Sequence, residues 1–462
     1  MAAPATCPVA LRARIRRCRF AHPLPTSESS VTEGEVAMSE QSRRRCIGLD
    51  VHRDFAQVAI WQGGVVSEAG RFATTPEGVR AFAADLGPAD EVALEATGNS
   101  WAIAALLASR AGRVVVSNPV KTRAIAEANV KTDKVDAQIL AQLLAADFLP
   151  PVWRPDAQSA ALRRQVLRRA HLVRQRTRLK NQVHAILHRN LIPRCPASDL
   201  FGIKGRAWLA DQQLPPDERT TASALLRQLD FQDHELALID SDLARVALGR
   251  DDVHRLMSIP GVDTIVALSI VAAIGEATRF RSPDKLVCYF GLNPRVRQSG
   301  GHTASHGRIT KAGPGHARGM LVEAAWAASR TPGPLRAFYQ RVRARHGMQI
   351  AVVATARKLA VLCWHLLIKG EDYAFTQPSL RAHKHRRLEL RAGLPPANGR
   401  KGKSAAYSLK AVRAAERDLA AQGEAAYRTM VAAWQPRRDA STSTPPRNKQ
   451  AAGADASNGT RL

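Results

Sequence analysis

The sequence predicts a mixed α/β domain near the amino end followed by a mainly helical remainder. Three observations carry this. Between residues 46 and 117 short apolar runs alternate with Gly and Pro turn signals. After Pro150, Pro151 and Pro155 a long Arg-rich segment has apolar residues at helical spacing. Two apolar helical runs then flank Ile259-Pro260-Gly261. At 462 residues the chain has room for two or three domains of roughly 150 residues. Its 45% apolar content supports a sizeable core and excludes disorder throughout. No stretch approaches about 18 uninterrupted apolar residues, so no membrane span is expected. With 68 Lys and Arg against 40 Asp and Glu, the net charge of +28 points first to a polyanion such as DNA or RNA, and second to an anionic membrane surface.

Residues 46–51, 56–61 and 65–72 read as strands, the last two joined at Gly63-Gly64. A helix over 77–86 follows Thr75-Pro76, where the Thr caps and the Pro occupies the first turn. A strand at 91–95, a helix at 100–110, a strand at 113–117 and a helix at 133–146 complete the segment. Three strands followed by alternating helices and strands fit a ribonuclease-H-like domain. In the basic segment, Leu162, Val166, Val173, Val183, Ile186 and Leu187 recur without a sustained heptad. An antiparallel helical hairpin through residue 248 and a coiled coil both satisfy that spacing. Its Arg163, Arg164, Arg168, Arg169, Arg174, Arg178 and Lys180 suit phosphate contact or a solvated helix face. Residues 254–276 form a helix-hairpin-helix-like pattern. Its turn at Gly261 either offers backbone N–H groups to a phosphate or is purely structural. The segment 281–319 is rich in Gly, Arg and His; helices are expected at 314–330, 348–369 and near 407–433. The expected divisions are a disordered leader over 1–42, with a second start at Met38, an α/β domain over 43–150, a basic helical domain over 151–250, a further domain over 251–375, a basic extension over 376–434 and a disordered tail over 435–462. Six scattered cysteines without C-x-x-C spacing suit a reducing compartment.

Four carboxylates carry the chemistry. Asp50 ends the first strand and Glu95 the fourth; alone, each serves equally well as a strand-end charge. Asp133 and Asp136, spaced i, i+3 at a helix start, share one face about 5–6 Å apart. In a ribonuclease-H-like arrangement the two strands lie side by side and the helix lays its acidic face over their ends. All four carboxylates then converge. Like charges 4 Å apart repel by about 4 kcal/mol at an effective dielectric near 20, so the cluster calls for a cation. Hard oxygen ligands select Mg²⁺ or Mn²⁺, and a metal pair suits phosphodiester chemistry. A second constellation surrounds Ser299, on a glycine-flanked loop among Arg295, Arg297, His302 and His306, followed by Arg308 and Lys311. A bland Ser-Gly-Gly turn is the alternative. No G-x-S-x-G context accompanies it, which argues against acyl chemistry.

The Gly48-Leu49-Asp50 strand, the Glu95-Ala96-Thr97-Gly98 strand end, the Lys131-to-Ala137 helix start, the Pro260-Gly261-Val262 turn and the Tyr289-to-Gly301 segment together resemble the IS-one-ten family, the DEDD transposases of bacterial insertion sequences. The resemblance runs from about residue 45 to 370. It implies a RuvC-like amino-terminal domain, a helical linker domain and a carboxy-terminal transposase domain. It further implies that Asp50, Glu95, Asp133 and Asp136 bind the metal and that Ser299 becomes joined to a DNA 5′-phosphate. DNA and a structured guide (bridge) RNA are the implied partners. The implied assembly is a homo-oligomer, dimer to tetramer, of cytoplasmic, nucleoid-associated protein. A RuvC-like nuclease hydrolysing branched DNA, or a non-catalytic nucleic-acid-binding protein, are the competing readings.

Overall fold

A computed structural model describes residues 44–125, 132–298, 304–395 and 409–433. The expected leader and tail lie outside them. The chain divides into two compact units after Arg154.

The first unit contains β1 (Arg45–Val51), β2 (Phe55–Gln62), β3 (Val65–Ala73), α1 (Pro76–Ala84), β4 (Asp90–Glu95), α2 (Ser100–Leu107), β5 (Arg113–Ser117), α3 (Pro119–Ile125) and α4 (Asp133–Ala145). Its sheet runs β3-β2-β1-β4-β5. The first three strands are antiparallel neighbours, whereas β4 lies parallel to both β1 and β5. Side-chain alternation buries both faces of the centre. Ile47, Leu49, Val92 and Leu94 pack with Val79 and Ala83 of α1 and Ile103 and Leu107 of α2. Cys46, Ala93 and Val115 pack with Leu140 and Leu144 of α4. Sequence and structure agree closely here, although α2 stops at Leu107 and α3 was not anticipated. That seven-residue helix has Thr122 as its buried residue and therefore no apolar period. Asn118 starts it by accepting from the Val120 and Lys121 N–H groups at 3.1 and 3.2 Å.

The second unit contains α5 (Ala157–Arg189), α6 (Ile203–Ala210), α7 (Pro216–Leu248), α8 (Asp251–Met257), α9 (Thr264–Ile274), α10 (Pro283–Tyr289), β6 (Pro294–Arg297), β7 (Ser305–Ile309), α11 (Gly315–Ala328), α12 (Pro334–Lys369), α13 (Pro378–Arg391) and α14 (Lys410–Ala433). The 33-residue α5 and α7 form the antiparallel hairpin. Arg168, Arg169, Arg176 and Arg189 pair with Glu235, Asp240, Asp233 and Glu218, partner numbers falling broadly as the first rise. One core reaches from Leu162 on α5 to Leu388 on α13, and every residue of α9 is buried within the unit. By length and composition α12 could cross a bilayer. Its Ala351, Val352, Ala356, Leu359, Ala360 and Cys363 instead pack into this core.

The antiparallel pair β6–β7, within the Gly-, Arg- and His-rich 281–319 segment, was not anticipated; four- and five-residue strands rich in Gly and Arg carry too little alternation to read. The extension beyond Pro378 also folds. Glu416 on α14 accepts from the Ser379 N–H at 2.8 Å at the start of α13, and Glu424 accepts from the Gly333 N–H at 2.7 Å and Arg336 at 2.6 Å at the start of α12. Lys384 on α13 donates to the carbonyl oxygens of Met257 and Ile259, both at 2.8 Å.

Burial pushes the Lys384 pKa down to about 8 from 10.5. Between those pH values the folded protein therefore holds fewer protons at this site than the unfolded chain, and stability rises with pH. Melting curves should show the native protein gaining about 3 kcal/mol over Lys384→Met as pH rises through that window. A pH-independent difference would refute this.

Candidate active site

Gly48 sets the site's geometry. A Cβ there would lie 2.0 Å from the Ala137 carbonyl oxygen and 2.6 Å from the Ala141 nitrogen, so α4 crosses β1 at a separation that only glycine permits. The start of that helix is fixed by Thr132, whose hydroxyl accepts from the Val135 N–H at 3.3 Å. Asp133 and Asp136 fall in its first turn, where the helix dipole favours negative charge.

Asp50 lies two residues beyond Gly48 on β1 and so shares the α4-facing side. Burial lifts its carboxyl above the usual range, and the neighbouring Asp136 and Asp133 charges push the same way; His52 opposes them. The His52 Nε2 lies 3.1 Å from Asp50 Oδ2 and 3.2 Å from Asp133 Oδ2. One ligand atom each from Asp50, His52 and Asp133 lie within 4.8 Å of one another. The β1–β4 register pairs Leu49 with Leu94, which sets Glu95 beside Asp50 at the ends of adjacent parallel strands. Ala93 faces α4, and Glu95, two residues on, lies on that same face. The structure thus brings Asp50 and Asp133 together, with Asp136 in electrostatic reach and Glu95 beside them on the sheet.

His52 was missed from sequence. Its signal was the Asp50-x-His52 spacing at a strand end, which puts both side chains on one face. Carboxylate oxygens with one imidazole make a donor set that fits a divalent cation, and the half-buried Asp50 needs such a charge nearby.

Ser299 lies outside the described residues. On either side of it, Arg295, Arg297, Arg308 and Lys311 are exposed and form no ion pair among the described residues. Arg318 is spent on structure, donating to the Phe290 and Ala312 carbonyls at 3.0 and 3.1 Å.

Several basic residues of α5, read as phosphate contacts or a solvated face, make contacts within the second unit. Arg163 donates to the Ala272 and Ala273 carbonyls at 2.5 and 2.6 Å, closing the end of α9. Arg168 and Arg169 pair with α7 carboxylates, and Lys180 sits 4.6 Å over the Phe201 ring. Arg164, Arg174 and Arg178 stay exposed. Gly261, at φ +86°, turns the chain against α11; a Cβ would meet the Ala324 carbonyl at 2.4 Å. The turn is flanked by fully buried Ile259 and Val262. That packing supports the structural alternative for this turn.

Residues 47–191 match a DEDD-type family model described as a transposase, and residues 253–340 match one described as the Transposase IS116/IS110/IS902 family. The four carboxylates fall in the first span and Ser299 in the second. The chain is 28% identical over 249 residues to the transposase for insertion sequence element IS1111A of Coxiella burnetii, covering 53% of this chain and 68% of that protein. It is 26% identical over 293 residues to the transposase for IS1328 of Yersinia enterocolitica, covering 61% and 85%. It is 28% identical over 211 residues to the pilin gene-inverting protein of Moraxella bovis, covering 45% and 57%. The matches span from about half to 85% of the lengths of these curated relatives and others like them.

Proposed function

This chain belongs to the IS110 family of transposases, and from that premise we propose that it cuts and rejoins DNA through a covalent link to Ser299, with Asp50, Glu95, Asp133 and Asp136 holding a divalent cation. The observation that carries the reading is the meeting of Asp50 and Asp133 around His52 at the end of β1. The sheet order, with β1 central between an antiparallel hairpin and parallel β4, supports a ribonuclease-H-like, RuvC-like domain.

Oxygen donors favour Mg²⁺ or Mn²⁺, and His52 as a neighbour suits Mn²⁺ further. Such a cation, when bound, neutralises charge on a reacting phosphate and helps activate an oxygen. The chain's residues do the rest. The Ser299 oxygen forms a bond to a DNA phosphorus as the bond to the 3′ oxygen breaks; the serine proton passes to a base, and the departing 3′ oxygen gains one. The phosphoserine ester retains the energy of the broken bond, so rejoining needs no nucleotide. Arg295 and Arg297 flank the serine with charge for the phosphate oxygens. Arg164, Arg174 and Arg178 on α5 are the surface we assign to guide-RNA phosphates. One protomer's serine serves another's carboxylates in a dimer-to-tetramer assembly.

Ser299→Ala tests the covalent step. We expect loss of the protein–DNA adduct on denaturing gels together with loss of strand exchange. Retained exchange in that variant would reject the serine assignment, and surviving hydrolysis would favour a water-using nuclease.

A further inference from the structure

The helix α12 is broken at Gly347, whose φ of 80° and ψ of 173° belong to glycine alone. The residues around the break leave the core entirely. Arg343 through Ile350, eight successive positions, are all exposed, whereas a helix lying on a core buries one residue in every three or four. Nothing lies within 4 Å of a Cβ built on Gly347. The elbow is therefore a convex projection. It presents Arg343, Arg345 and His346, beside Met348 at 46% and Ile350 at 57% exposure. No Asp or Glu occurs anywhere in residues 334–369, and neither arginine forms an ion pair among the described residues. Its neighbour Arg341 is held back, stacked 5.6 Å from Phe338 and 5.9 Å from Tyr427.

We infer that this elbow docks on duplex DNA, with Arg343 and Arg345 on phosphates bordering a groove and Met348 and Ile350 against the sugar and base edges inside it. The inference rests on the reading of the chain as a DNA transposase and adds a contact surface outside the carboxylate and serine sites. A convex, cationic projection tipped with apolar side chains complements a groove lined by phosphates, and unbranched or branched aliphatic side chains are the groups that press into minor grooves. RNA fits less well. The elbow has no Phe, Tyr or Trp to stack an unpaired base, and the major groove of an A-form duplex is too narrow for side chains. A second copy of this chain fits poorly also, because a twofold contact at the elbow would set Arg343 and Arg345 against their own copies.

The test uses the full chain and a fluorescently labelled mixed-sequence DNA duplex, titrated at several salt concentrations. Arg343→Ser/Arg345→Ser should reduce the slope of log affinity against log salt by about 2, since each lost phosphate contact removes roughly 0.9. Met348→Ser/Ile350→Ser should weaken binding several-fold at fixed salt and leave that slope unchanged, because it removes no charge. An unaltered slope in the arginine variant would overturn the inference. So would a loss confined to single-stranded RNA, or a change of oligomeric state by light scattering with duplex affinity intact. Failure of the native protein to bind duplex DNA at all would overturn the transposase reading along with it; failure of the elbow variants alone to differ leaves that reading standing.

Discussion

Asp50→Asn is expected to give a folded protein that has lost nearly all DNA cleavage. The substitution keeps the shape of the side chain and removes its charge at the end of β1, where Asp133 meets it, Asp136 lies in electrostatic reach and Glu95 ends the adjoining strand. A lost ligand to a catalytic cation costs several kcal/mol of transition-state stabilisation. At about 4 kcal/mol the rate falls roughly a thousandfold. Cleavage of a labelled element end in Mg²⁺, with and without chelator, is the measurement; near-native cleavage by Asp50→Asn, or cleavage indifferent to chelator, contradicts the assignment. Stability moves the other way. Burial and its acidic neighbours raise the Asp50 pKa, so this group's favourable contribution is present below its unfolded pKa and is lost as pH rises through the folded one. At neutral pH without metal the charged form is a liability, and the Asn variant should melt above the native protein. Adding Mg²⁺ should raise the native melting temperature and leave the variant's unchanged.

Gly48→Val removes the same activity without touching a ligand. The first atom of the new side chain would fall 2.0 Å from a carbonyl oxygen of α4. The obstruction is helix backbone, which cannot rotate aside as a side chain can, so the helix must lift. Overpacking usually costs 1–3 kcal/mol, and a backbone collision belongs at about 3 kcal/mol or beyond. The lifted helix carries Asp133 and Asp136 away from Asp50, so calorimetric Mn²⁺ affinity and cleavage should fall together. Native denaturation midpoint and native cleavage in this variant would show that the close crossing does not build the site.

The first unit was legible because its signals are local. Alternation gives β1 to β5, and Thr132 followed by two aspartates marks the start of α4. Convergence of the carboxylates also follows from chain order, because a parallel β1–β4 pair ends on one edge of the sheet. What stayed hidden depends on distant partners. Arg168, Arg169 and Arg163 read as free charge until Glu235, Asp240 and the carbonyls of α9 arrive from far along the chain. Gly261 displays a tight turn in sequence, and the α11 backbone filling the space beside it does not. His52 escaped notice because an imidazole next to a strand-end carboxylate resembles ordinary surface polarity. The β6–β7 pair and α13 are short or poorly patterned, and packing rather than periodicity makes them.

Glu416, Glu424 and Lys384 all belong to the stretch beyond residue 340, where neither family model reaches. A shortened protein trimmed back to the matched spans would deprive the beginning of α12 of its Glu424 acceptor and leave the Met257 and Ile259 oxygens without a donor. Anyone seeking a minimal recombination tool from this chain should therefore retain α13 and α14, because they complete the packing of the second unit.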